Sequence, residues 1–369
     1  MMTFNKTRLE KLQKKLSENK IDLAYISNFK TIQYLIGFGS DPFERTLALV
    51  LFADSEPFLF TPALEVEVAK STGWPYKLIG YQDNQDSMKM IIDEIKSRNV
   101  STNKFAIEQS HLTYDKATHL KENFEGSDFS FNLTPIIEYQ KLIKEDDEID
   151  KLIQAGKDAD LAFEAGTHAL MLGKSELQIA AELEYATKMR NVTEMSFATL
   201  IQTGSHAADP HGETSDRLLE NNSLVLFDLG TVYEGYISDM SRTVALGKPT
   251  QHMKDIHAIV LEAQLAAQEA ARPGITAAQL DNVARSVIEK AGYGEYFIHR
   301  LGHGVGMSEH EFPSIMEGND LVLQPNMAFS IEPGIYIPND LGVRIEDSVY
   351  ITENGAIPFT NSSKELLIF

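Results

Sequence analysis

Cysteine is absent from the 369-residue chain, so no disulfide staples it and no thiolate can serve as a metal ligand. The lack of thiols fits a reducing cytoplasm. Positive charge is scarce: 33 Lys and Arg face 54 Asp and Glu, a net charge of −21. That balance argues against nucleic acid and anionic membrane surfaces as partners. No run approaches the roughly 18 consecutive apolar residues of a membrane-spanning helix. The start, Met1-Met2-Thr3-Phe4-Asn5-Lys6, leads into a charged segment without the apolar core of a signal peptide. The absences together predict a soluble, cytoplasmic protein with no nucleic acid and no membrane as partner.

At 43% hydrophobic, the chain is long enough for two domains with separate cores. Residues 7–20 carry Leu9, Leu12 and Leu16 at helical spacing. Short apolar strands follow at 23–26, 47–52, 57–60 and 105–107, alternating with helices at 64–72 and 84–98. Such alternation predicts an α/β domain. Its end is set at residue 143, before the run Lys144-Glu145-Asp146-Asp147-Glu148, whose acids suit the positive end of a new helix. The predicted domains are therefore 1–143 and 144–369.

The second part repeats itself. Gly173-Lys174-Ser175-Glu176-Leu177-Gln178-Ile179 matches Gly274-Ile275-Thr276-Ala277-Ala278-Gln279-Leu280. In each, a glycine ends one helix and a Ser/Thr-x-x-Gln capping box starts the next. A histidine-bearing loop and a strand pair with two acids then follow each copy, so two halves frame one centre. Both strand pairs hold carboxylates inside apolar runs, at Leu224-Val225-Leu226-Phe227-Asp228 and at Phe329-Ser330-Ile331-Glu332. A hairpin turning between Tyr233 and Glu234 sets Asp228 opposite Asp239. One turning at Asn339 sets Glu332 opposite Glu346. Cross-strand partners share a face, and burying such acids is costly unless cations pair with them. Two divalent ions would balance four convergent carboxylates. His303, in Gly302-His303-Gly304, completes a five-ligand, two-metal site, and the flanking glycines would let the backbone approach the metal.

The motifs Phe227-Asp228-Leu229-Gly230, Gly235-Tyr236-Ile237-Ser238-Asp239-Met240-Ser241-Arg242-Thr243, Gly302-His303-Gly304-Val305-Gly306, Ile331-Glu332-Pro333-Gly334 and Arg344-Ile345-Glu346-Asp347 resemble those of the pita-bread metallopeptidases. That family includes methionine aminopeptidase, aminopeptidase P and prolidase. Along its whole length the chain looks most like bacterial Xaa-Pro dipeptidases. The resemblance implies an α+β protein: a creatinase-like N-terminal α/β domain, for dimerisation and site capping, then a pseudo-twofold ααββ catalytic domain. It implies two metal ions, manganese favoured, with cobalt, iron or zinc compatible with hard oxygen ligands and one imidazole. Asp228 and Asp239 would bind one ion, His303 and Glu332 the other, with Asp239 and Glu346 bridging. Such a pair, about 3.5–4 Å apart, holds a water as hydroxide and polarises the scissile carbonyl. Glu332 is the candidate proton shuttle.

The resemblance also places His211 and His310 against the substrate or the tetrahedral intermediate. Arg300 could clamp the C-terminal carboxylate of a dipeptide, with a structural ion pair as its alternative role. Arg344 would orient a ligand carboxylate. The loop Ser40-Asp41-Pro42-Phe43-Glu44-Arg45 reads as a surface turn, or as one reaching a partner's site in a homodimer. His206, His252 and His257 are expected at the surface, and His299 is left open. The expected substrates are small peptides with proline second. An Xaa-Pro aminopeptidase is the nearest alternative, and a non-catalytic binding protein a more distant one.

Overall fold

The computed structural model describes residues 3–210 and 212–369. It divides into two compact units, Met1–Gln140 and Lys141–Phe369. No described helix is long and apolar enough to cross a membrane.

In the first unit, strands β1 (Leu23–Ile26), β2 (Ala48–Phe52), β3 (Phe58–Pro62), β4 (Lys77–Tyr81), β5 (Lys104–Ile107) and β6 (Asp128–Asn132) form one sheet in the order β4-β3-β2-β1-β5-β6. Its centre is antiparallel, β1 and β3 each pairing β2, and the flanking pairs are parallel. The four apolar runs predicted as strands become the inner ones. β4 and β6 lie at the edges, and an edge strand tolerates polar residues such as Lys77 and Asp128, which hides it from a search for apolar runs. Helix Lys6–Glu18 buries Leu9, Leu12 and Leu16, and helix Ser87–Ser97 buries Met88, Ile91, Ile92 and Ile95. The stretch expected as one helix at 64–72 splits into a 3-10 turn, Ala63–Glu65, and a short helix, Val66–Ser71.

The second unit carries the repeat. Helices Asp146–Ala169 and Glu176–Lys188 form one pair, and Gln251–Ala270 and Ala277–Lys290 the other. Both predicted capping boxes form, Ser175 with Gln178 and Thr276 with Gln279. Each follows a glycine with positive φ, Gly173 at 88° and Gly274 at 93°. The strands are β7 (Leu200–Thr203), β8 (Ser223–Leu229), β9 (Val232–Tyr233), β10 (Tyr236–Ile237), β11 (Met240–Leu246), β12 (Gly302–Gly304), β13 (Glu311–Ile315), β14 (Ala328–Ile331), β15 (Gly334–Ile337), β16 (Leu341–Arg344), β17 (Glu346–Thr352) and β18 (Gly355–Pro358). One antiparallel sheet runs β13-β12-β14-β17-β11-β8-β7, with β18 on β17; β9/β10 and β15/β16 are two-stranded ribbons. The first helix pair packs on β8 and β11 through Phe163, Leu183, Phe227 and Val244. The second packs through Val260, Leu280, Phe329 and Val349 on β14 and β17. Two helices and a hairpin thus recur, the pita-bread arrangement.

The hairpins obey the predicted registers unequally. In the second, Ile337 faces Leu341, Gly334 faces Arg344 and Ile331 faces Asp347. That register, around Asn339 at φ 62°, is the one that sets Glu332 against Glu346. In the first, Asp228 faces Ser241 rather than Asp239. The turn lies one residue later than expected, at Glu234-Gly235, where both residues have positive φ, 47° and 83°. A two-residue hairpin turn needs that combination. The pairing therefore slips by two residues, which preserves the alternation of faces, and Asp239 keeps to the face of Asp228.

Candidate active site

The centre of the second unit is where β8, β11, β17, β14 and β12 lie side by side and bring acids and an imidazole together. Asp239 precedes β11, Glu346 opens β17, His303 sits in β12, and Glu332 directly follows β14. Ligand atoms of Asp239, His303 and Glu346 all lie within 4.8 Å of one another, and all three residues are buried. Glu332 Oε1 is 3.2 Å and Asp239 Oδ2 3.6 Å from His303 Nε2. The other ring nitrogen, Nδ1, is 3.2 Å from the Gly304 carbonyl, which can only accept. Nδ1 donates there, which turns Nε2 towards the carboxylates.

Asp228 is held slightly apart by Arg344, whose Nη2 donates to Asp228 Oδ2. Arg344 Nε donates to Ser241 Oγ at 2.9 Å, and Ser241 Oγ donates to Glu346 Oε2 at 2.7 Å. Arg344 Nη1 donates to Tyr336 Oη at 2.9 Å, and Tyr336 Oη stands 3.0 Å from His299 Nε2. His299 Nδ1 lies 2.7 Å from the carbonyl of Arg300, so it donates there and Nε2 accepts from the tyrosine. One buried guanidinium thus orients carboxylates of both hairpins, the role expected of it. Ser241 and Tyr336 were not marked in the sequence. Ser241 comes opposite Asp228 only in the slipped register of the first hairpin, and Tyr336 stands opposite Gly342 in the second.

Burial pushes Asp239 and Glu346 well above the ordinary carboxylate range, and their acidic neighbours push further in the same direction. Asp228 is also raised by burial, against the pull of Arg344. Glu332 goes the other way. Burial raises it, but the hydrogen bond and charge of His303, with His299 and Arg344 behind, bring it down to about 2. Three buried carboxyls pushed upward by burial and by one another mark a group of acids short of positive charge. Two oxygens, Asp228 Oδ1 and Glu346 Oε1, are buried with no hydrogen-bond partner among the described residues. Orphaned acceptors, an imidazole nitrogen turned towards the carboxylates and hard oxygen donors together fit divalent cations.

The group opens on a cavity of about 460 Å³ that is also lined by Phe197, Leu200, Pro210, His299, Arg300, Glu309 and His310.

The geometry agrees with sequence relationships. Residues 150–353 match the description "Metallopeptidase family M24", and residues 8–143 match "Creatinase/Prolidase N-terminal domain". The chain belongs to metallopeptidase family M24. It is 50% identical to an Xaa-Pro dipeptidase of Lactobacillus delbrueckii subsp. lactis over 361 residues, 98% of each chain. It is 48% identical to an Xaa-Pro dipeptidase of Lactobacillus helveticus over the same length, again 98% of each. Among solved structures it resembles a prolidase from Thermococcus sibiricus, with a TM-score of 0.94, 32% identity and 100% of both chains covered. As an M24 metallopeptidase it is an enzyme that binds divalent metal.

The remaining marked residues of this M24 chain have mixed fates. His310 lies beside His303, ring centroids 4.1 Å apart. Arg300 lines the cavity and donates to Ser314 Oγ at 2.9 Å. His211 falls outside the described residues. Of the histidines expected at the surface, His252 is exposed and pairs with Asp340 at 2.9 Å. The other two correct that expectation. His257 is 3% exposed in helix Gln251–Ala270, and burial lowers its pKa to about 4. His206 Nδ1 sits 2.9 Å from the fully buried Glu176. Gly302 and Gly304, expected to let the backbone approach a metal, are also demanded by strand packing. A Cβ on either would meet a neighbouring strand's carbonyl, 1.9 Å from Ser330 O and 2.3 Å from Phe312 O.

Proposed function

We propose that the chain is a dimetal Xaa-Pro dipeptidase. The observation that carries the reading is a cavity of about 460 Å³ lined by convergent carboxylates and two guanidiniums, of which Arg344 is committed to Asp228 and Arg300 pairs with no carboxylate among the described residues. A space of that size accepts a small peptide. A guanidinium not already taken by a carboxylate suits a substrate whose C-terminal carboxylate lies next to the scissile bond. The dipeptidase names of the relatives above point the same way.

Asp228, Asp239, His303, Glu332 and Glu346 would hold two divalent ions, with Asp239 and Glu346 shared between them, and manganese is the favoured metal. When bound, such ions polarise the scissile carbonyl and acidify water at neutral pH. Glu332, next to His303 Nε2, receives the nucleophile's proton and delivers it to the proline nitrogen, which must be protonated to leave. His310, and His211 with it, donates to the carbonyl oxygen as negative charge develops there. Arg344 and Ser241 keep the carboxylates aimed. We assign the first unit to dimerisation and to capping the site in a homodimer, and we place the enzyme in the cytoplasm.

The test is turnover of Leu-Pro, Leu-Pro-amide, Leu-Pro-Gly and Leu-Ala by manganese-loaded protein. Cleavage of Leu-Pro with poor cleavage of the amide and the tripeptide is expected. Equal cleavage of Leu-Pro-Gly would make it an Xaa-Pro aminopeptidase, and no turnover of any peptide a binding protein.

A further inference from the structure

Arg300 lies in a stretch that the helix Ala277–Lys290 grips at several points. Arg285, on that helix, donates Nη1 to the carbonyl of Phe297 at 3.0 Å and Nη2 to the carbonyl of His299 at 2.9 Å. Asp281, one turn earlier, takes both ends of the same guanidinium, at 2.9 and 3.0 Å. Its Oδ1 also accepts the N–H of Leu301 at 3.0 Å. The Arg285 guanidinium lies over the Phe297 ring, 4.2 Å from its centroid. Asp281 is 1% exposed and Phe297 3%. From the other side, the carbonyl of Leu301 accepts the N–H of Glu332 at 2.9 Å, and Ser330 Oγ accepts the N–H of His303 at 3.0 Å.

The backbone on both sides of Arg300 is therefore pinned, at His299 by Arg285 and at Leu301 by Asp281. The Arg300 side chain is tethered to Ser314 Oγ, to which its Nη1 donates at 2.9 Å. A long side chain on a fixed backbone loses less freedom when it binds an anion, and its reach into the cavity is set in advance. We infer that Asp281 and Arg285 form a clamp that aims Arg300 at the substrate carboxylate, making them positioning residues for dipeptide specificity. The inference rests on the carboxylate role proposed for Arg300. The fork shape matters: two carbonyls two residues apart need donors spread in one plane, which guanidinium has and ammonium lacks.

The experiment compares kcat/KM for Leu-Pro and Leu-Pro-amide in the manganese-loaded full chain, as wild type, Arg285→Met, Arg285→Lys, Arg300→Ala and Arg285→Met/Arg300→Ala, with metal content measured for each. Methionine keeps the apolar stem over Phe297 and removes the donors. A misplacement of about 1 Å can cost up to about 100-fold, so Arg285→Met is expected to lower the preference for Leu-Pro about tenfold. The loss should appear as a higher KM for Leu-Pro, with metal content near that of wild type. In the Arg300→Ala background the same change should leave the preference where Arg300→Ala put it. If Arg285→Met lowers both substrates equally and the preference survives, the clamp is only structural and the inference falls. If Arg285→Met does not fold, Arg285→Lys decides: loss of most of the preference supports the clamp, and full preference overturns it. The Arg300 reading fails separately, and takes the clamp with it, if wild type does not discriminate and Arg300→Ala changes neither substrate.

Discussion

The two halves of the second unit begin alike and end differently. Both open their second helix with the same capping box, and both then send a loop towards the centre. The first half holds its loop by an anion. Glu176 accepts the N–H of Thr203 at 2.8 Å, the N–H and hydroxyl of Ser215 at 3.0 and 2.7 Å, and His206 Nδ1. The second holds its loop through a cation, Arg285, reaching carbonyls. The side chains brought to the centre diverge too: aspartates from the first half, a histidine and glutamates from the second. Shared helix starts paired with unlike loop chemistry teach that the scaffold demands helix caps, while the site demands particular charges at particular points.

The largest expected effect comes from taking one ligand from each half. Asp239→Asn and Glu346→Gln should each lose metal and cut turnover by well over about 100-fold, beyond the range for a residue that merely supports a ligand. Metal analysis with Leu-Pro kinetics checks this. Chelation of wild type should lower Tm, since metal binds only the folded form. A chelated protein with unchanged Tm and activity would show that neither half binds metal.

A smaller effect tests what ties the halves together. Glu311, beside His310, is buried against Lys144 at 3.2 Å and Lys141 at 3.7 Å, just ahead of the first half's long helix. Burial alone would raise this carboxyl, but the two ammonium groups and the Met307 N–H bring it from 4.5 down to about 2. The folded-state value lies below the unfolded one. Its contribution, on the order of 3 kcal/mol, is therefore complete above about pH 4.5 and lost as pH falls towards 2. Denaturant midpoints of wild type should drop through that window. Glu311→Gln should be less stable at pH 7, and its midpoint should change less with acid. A variant with wild-type acid dependence would remove Glu311 from the account.

The smallest effect measures how alike the halves are. Ser175→Ala and Thr276→Ala each delete one capping hydroxyl and should each cost about 1 kcal/mol. Equal losses in urea unfolding would support equivalent helix starts. A several-fold larger loss at Ser175 would show that Glu176, next to it, makes the first cap part of the loop anchorage.

Much of the fold was legible because its signals are local. Leucine spacing over 7–20, apolar runs of strand length and Ser/Thr-x-x-Gln boxes each act within a few residues, and each produced the element expected. The edge strands β4 and β6 left no such trace. The slipped first hairpin shows the limit in finer detail: the turn chemistry of Glu234-Gly235, and not the spacing of the two acids, set the register, and only the parity of the faces survived. For the site, acids inside apolar strands were visible, since a buried charge has few innocent explanations. Their supports were not, because Ser241, Tyr336 and Asp281 look like ordinary polar residues until the chain brings them beside a partner.

The amino-acid order by itself determined which strands would be buried, where the helices of the repeat would start, and that carboxylates would have to be neutralised inside the fold. Only the tertiary structure decided that Arg344 would bridge the two hairpins, that His206 would turn to Glu176, and that His257 would be enclosed. The reason is physical. Periodicity and capping act over one or two turns of chain, whereas Arg344 and Asp228 are separated by more than a hundred residues and meet only once β8, β11 and β17 lie side by side.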